Sequence, residues 1–119
     1  MPPTQAKILV VSHDPGLADV RKSVLEAAGF TVISIRSDST VVGKVCRKQR
    51  PRLVMIGYSV PPAAKRRVWD EARKKCKVPI LELHREGSPG LMPPAYFHVS
   101  QTPDDFLVAV QRILKGLAN

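Results

Sequence analysis

Short apolar runs rich in β-branched residues recur along the chain, each followed by a segment with helical spacing, and this alternation restricts the fold more than any other feature. The run KILVV at 7–11 is continuously apolar after its lysine, the pattern of a strand covered on both faces. TVISI at 31–35, RLVMI at 52–56, VPILEL at 78–83 and YFHV at 96–99 supply further strands. Between them lie helix signals. Asp14 followed by Pro15 starts a helix with Leu17, Val20, Val24 and Ala28 as its apolar stripe, and Gly29 ends it. Ser37, Asp38 and Ser39 offer caps for a second helix carrying Val41, Val42, Val45 and Cys46, weakened by Gly43 and by its β-branched residues. Pro61 and Pro62 open a third, running to Cys76, with Val68, Ala72 and Cys76 on one face beside Trp69. Thr102, Pro103 and Asp105 form the start of a last helix whose face is Phe106, Val110, Ile113 or Leu114, and Leu117.

Single strand–helix units of this length imply right-handed crossovers and a parallel sheet with helices on both faces, an α/β fold. The interval 85–95 departs from the pattern: Gly87, Pro89, Gly90, Pro93 and Pro94 predict a loop or a single turn, so the fourth helix is expected to be shortened or missing. With 119 residues, one hydrophobic core and a single domain over 1–119 are expected. The 44% apolar and 24% charged composition is that of a globular chain. No apolar run approaches the roughly 20 residues of a membrane span, and the first residues lack the pattern of a secretory signal, so a cytoplasmic protein without membrane contact is expected. Cys46 and Cys76 are far apart, without Cys-x-x-Cys spacing or a nearby histidine cluster, and are expected to be reduced, partly buried thiols.

The formal charge of +9 is regional: residues 44–85 hold thirteen of the nineteen Lys and Arg side chains against three acids, Asp70, Glu71 and Glu82. Lys44, Arg47, Lys48, Lys65, Arg66, Arg67, Arg73, Lys74 and Lys75 fall on the second and third helices and are the candidate partner-binding face, whose mutual repulsion calls for an anion. That anion is either an acidic surface on another protein or nucleic-acid phosphate. A helix-turn-helix, a zinc finger and interleaved aromatics are all missing from the sequence, which argues against sequence-specific DNA reading.

In order and spacing, KILVVSHDP at 7–15, RPRLVMIGYSVP at 50–61, VPILEL at 78–83, Tyr96 and the TPDDF start at 102–106 make the chain similar to the response-regulator receiver family, from Lys7 to about Leu114. The resemblance implies a flavodoxin-like, five-stranded parallel sheet in the order 2-1-3-4-5, with the second and third helices side by side on one face. Receivers place two acids after the first strand to hold Mg²⁺, a phosphoacceptor aspartate at the end of the third, a Ser or Thr after the fourth and a lysine after the fifth. Laid on that pattern, Ser12 and His13 stand at the acid pair, Gly57 at the phosphoacceptor, His84 at the Ser/Thr, and Val99 with Ser100 at the lysine. Asp14 is the one carboxylate left nearby, and helix capping is its expected role. Tyr96 falls at the family's switch aromatic.

The resemblance with these replacements implies a phosphorylation-independent pseudo-receiver of a two-component-type system, a signalling or scaffolding module rather than an enzyme, with neither cofactor nor metal. His13 and His84 are expected to be solvated rather than ligands of a transition metal. The rival reading is a non-specific nucleic-acid-binding protein that uses the basic face. Monomer and homodimer both remain open.

Overall fold

The computed structural model describes residues 6–57, 59–84, 97–100 and 103–118. Strands β1 (Lys7–Ser12), β2 (Thr31–Arg36), β3 (Leu53–Ile56), β4 (Ile80–His84) and β5 (Phe97–Ser100) are joined with helices α1 (Pro15–Ala27), α2 (Ser39–Gln49), α3 (Pro62–Lys75) and α4 (Pro103–Ala118). All strand pairs are parallel, in the order β2-β1-β3-β4-β5. The chain moves outward from β1 to β2 and then crosses back to β3 on the other side of β1. This reversal leaves the C-terminal ends of β1 and β3 side by side at a switch point, where open α/β sheets form their sites. The interval 85–95 and Tyr96 lie outside the described residues.

Side chains alternate across the sheet, and both faces are buried. On one face Leu9, Val11, Val54, Ile56 and Ile80 pack under Val42 and Cys46 of α2 and Val68, Trp69 and Ala72 of α3. On the other, Ile8, Val10, Leu53, Met55, Leu81 and Leu83 meet Leu25 of α1 and Phe106, Val110 and Leu114 of α4. Burial of each Ile, Leu or Val side chain contributes about 1.5–3 kcal/mol, which explains why apolar runs with no polar alternation form the centre of the sheet.

The helix starts follow their caps. Asp14 Oδ1 accepts from the backbone N–H of Gly16 at 2.8 Å and of Leu17 at 3.3 Å. Asp38 Oδ1 does the same for Thr40 at 2.9 Å and Val41 at 3.4 Å. Despite its weak local propensity, α2 runs without interruption, and Gly43 has a tertiary role: a Cβ there would stand 2.7 Å from Glu71 Oε1 of α3. A methyl group at 43 would have to push that carboxylate aside. The α1 stripe differs from the expectation. Val20 is 51% exposed, whereas Arg21 is buried.

Two further corrections concern α3. Lys65, expected on the exposed basic face, is buried, and its Nζ lies 3.0 Å from Glu82 Oε2 of β4. It sits one turn before Val68 and Trp69 on the sheet-facing side, so its stem is packed and its charge meets a buried carboxylate. Cys46 and Cys76, expected as thiols, form a disulfide, with Cα atoms 4.8 Å apart. Because α2 and α3 both return antiparallel to the strands they join, their C-terminal ends meet, and 30 residues of sequence separation collapse to contact distance.

Lys65→Met alone is expected to cost roughly 3–5 kcal/mol in urea unfolding, because the Glu82 carboxylate loses the Lys65 cation while remaining buried. Joint replacement by Met and Leu should cost less than that single change. Reduction of the disulfide should lower stability by about 3–4 kcal/mol through the loop it closes, and the reductant should leave the midpoint of a Cys46→Ser/Cys76→Ser variant unchanged.

Candidate functional site

At the switch point, the parity of the strands aims Ser12 and Gly57 toward the α1 side of the sheet, in file with Ile8 and Val10 and with Leu53 and Met55 respectively. Into this corner α1 inserts Arg21. The side chain is 2% exposed, and Nη1 donates to Ser12 Oγ at 3.1 Å within the protein. A Cβ built on Gly57 would overlap Arg21 Nη1, with Cζ at 3.0 Å and Nη2 at 3.3 Å. Among the described residues only Gly29 combines glycine with positive φ, so Gly57 is demanded by space rather than by its backbone conformation. Its N–H donates to Val11 C=O at 2.9 Å, which fixes the end of β3 against β1. The guanidinium therefore lies where a side chain at 57 would project.

This arrangement sets the electrostatics of the corner. A guanidinium is a permanent cation with five donors, and here it lies beside a hydroxyl and a glycine. Among the described residues, no three His, Cys, Asp or Glu side chains are grouped so as to hold a metal ion. Sequence reasoning passes over Arg21, although a signal is present: it stands four residues after Leu17 and four before Leu25, so a core-facing stripe through those leucines contains it.

The other candidates separate. His13 and Asp14 are exposed at the mouth of a cleft of ≈ 190 Å³ that runs from Ser12 past Asp19 to Ser34 and Arg36 on β2. Asp14 is engaged as the α1 cap. His84 ends β4, where its register partner is Ser100, and Val99 lies on β5 opposite Leu83. These positions border the same C-terminal edge. Tyr96 lies outside the described residues.

The basic face is assembled on the opposite side of the sheet. Lys44, Arg47 and Lys48 on α2 and Arg66, Arg67, Arg73 and Lys74 on α3 are exposed, and Lys75 is half-buried. Lys65 is removed from it by the ion pair with Glu82. Between the helices runs a groove of ≈ 460 Å³ edged by Lys44, Arg47, Arg67 and Lys75, with Asp70 and Glu71 also lining it. The field is thus positive at the rims and mixed within. Arg73 is held over the Trp69 ring at 5.2 Å, a cation–π contact that orders one of the exposed charges.

Gly57→Ala is expected to destabilise the protein by about 1–3 kcal/mol, since the buried guanidinium has to be displaced. Most of that loss should vanish in an Arg21→Ala background, measured by urea unfolding as a double-mutant cycle. Equal losses in the two backgrounds would mean that the added methyl meets something other than Arg21.

No protein-family model matches the chain, and no curated protein matches it in sequence. Solved structures do. The receiver domain of the sensor histidine kinase PA1611 from Pseudomonas aeruginosa PAO1, which has a magnesium ion coordinated in its active site cleft, is 19% identical over 94% of this chain and 99% of its own, with a TM-score of 0.73. The chemotaxis protein CheY4 of Vibrio cholerae is 21% identical over 92% and 99%, with a TM-score of 0.74. A chain of the complex between the histidine kinase ThkA and the response regulator protein TrrA is 23% identical over 92% and 99%, with a TM-score of 0.75. Sheet order, helix placement and these superpositions agree that the chain has the fold of a response-regulator receiver domain.

Proposed function

We propose that this chain is a receiver-fold module that does not use phosphorylation and acts by binding a protein partner in a two-component-type signalling pathway. The observation that carries the reading is the Arg21 guanidinium lying against Gly57 and Ser12. Phosphotransfer by receiver chemistry needs a carboxylate oxygen as nucleophile and hard oxygen ligands for a divalent cation beside it. Here the end of β3 offers a hydrogen atom, the end of β1 a hydroxyl already accepting from Arg21, and the guanidinium itself lies where a side chain at 57 would project. A stably filled corner suits a scaffold whose surface is constant rather than a switch that must admit and release a phosphoryl group.

The partner surface in this reading is the exposed part of the α2–α3 face, and the partner presents carboxylates. The mixed groove favours protein over nucleic acid: Asp70 and Glu71 would oppose a uniform phosphate backbone yet can pair with single basic residues on a protein. One matched structure contains a histidine kinase together with a response regulator, which makes a kinase-type partner a reasonable first one to try.

Acetyl phosphate with Mg²⁺ is expected to give no covalent adduct by intact mass, and a species heavier by one phosphoryl group would overturn the reading. The nucleic-acid alternative rests on the seven exposed cations on α2 and α3. If it holds, single-stranded DNA binds with a logarithmic affinity that falls steeply with the logarithm of salt, and Arg66→Glu with Lys74→Glu abolishes it. Absence of binding at low salt would dispose of that alternative.

A further inference from the structure

The disulfide lies within the face just assigned to a partner, and the function proposed above makes no use of it. Cys46 is in the last turn of α2, one turn beyond Val42, and Cys76 caps α3, one turn beyond Ala72. The bond therefore ties together the C-terminal ends of the two helices that carry the exposed charges. We propose that Cys46–Cys76 is a thiol–disulfide exchange site, and that its reduction by a dithiol loosens α2 from α3 and thereby alters the basic face.

Three observations point this way. The first is the uneven burial of the two ends: Cys46 is 3% exposed, whereas Cys76 is half-buried, so Cys76 is the less shielded half of the bond and attack there would expel Cys46. The second is charge. Arg47 and Lys48 follow Cys46, and Arg73, Lys74, Lys75 and Lys77 flank Cys76, surroundings that attract an attacking thiolate and stabilise a departing one. The third is the dependence of α2 on tertiary ties. Thr40, Val41, Val42, Gly43 and Val45 give it weak intrinsic propensity, so the bond to α3 bears more on this helix than on any neighbour.

The exchange balances. One sulfur of the dithiol bonds to Cys76 Sγ as the Cys46–Cys76 bond breaks, and Cys46 leaves as a thiolate that takes up a proton. The second sulfur of the dithiol then displaces Cys76. The reductant is oxidised to its cyclic disulfide, and two electrons and two protons arrive on the two cysteines.

The site itself stands on the position of the bond; that the surface it holds is the docking surface rests on the proposed function. The test therefore has two arms. In the first, intact mass and thiol counting of the whole chain, prepared without reductant, should show no free thiol, and dithiothreitol should release two. Amide exchange across Ser39–Gln49 should then rise on the order of tenfold or more beyond the common rise that the lost loop closure gives α1 and α4, and removal of the reductant with added oxidised glutathione should reverse it. Two free thiols that resist oxidation would overturn the proposal. So would unchanged exchange in α2, or equal loosening of all four helices, the behaviour of a structural staple. A Cys46→Ser/Cys76→Ser variant should exchange like the reduced chain and ignore the reductant. In the second arm, binding to immobilised poly-glutamate is compared between the oxidised and reduced forms. A several-fold difference supports control of the face. Equal binding overturns that control, and no binding by either form overturns the docking surface without touching the exchange site, which the first arm decides by itself.

Discussion

Burial of β1 and β3 on both faces is the constraint from which the rest of the molecule follows. Alternating side chains divide between two cores, one under α2 and α3 and one under α1 and α4. The same alternation continues to the strand ends, where no apolar partner is required. Ser12 and Gly57 therefore face the α1 side because Val10 and Met55, two residues earlier, do. A corner built this way belongs to whatever α1 presents to it, and α1 presents Arg21.

Each face of the sheet buries a charged side chain drawn from the helix above it. Beneath α1, one guanidinium is sequestered against a hydroxyl and a glycine. Beneath α3, Lys65 and Glu82 neutralise each other in the interior, an arrangement whose desolvation cost is recovered only while both partners remain. The Lys65–Glu82 pair leaves the excess positive charge of this face unchanged, and Asp70 and Glu71 interrupt it in the groove. A surface of that kind selects partners by the placement of individual charges more than by total field.

Placement of α2 against α3 connects these features. Gly43 clears room for Glu71, Val42 and Cys46 enter the core beside Val68 and Ala72, and the disulfide closes the far end. A helix with so many β-branched residues is held by its neighbours rather than by its own backbone preference. Its order is thus tied to the same contacts that arrange the basic rims.

What could be read from residues alone was what local physics decides. Strands announced themselves by apolar runs, helix starts by Asp14 and by the cap candidates Ser37, Asp38 and Ser39, and the lack of a carboxylate at Gly57 by the residue itself. The alternation of these elements was sufficient for a parallel α/β sheet. Only the folded chain decided that Lys65 turns inward, that Arg21 rather than Val20 faces the sheet, that Cys46 meets Cys76, and that Gly43 and Gly57 serve as clearance. Each of these depends on how helices distant in sequence are set on the sheet, and a long charged side chain or a cysteine carries no local mark of the neighbour it will find there.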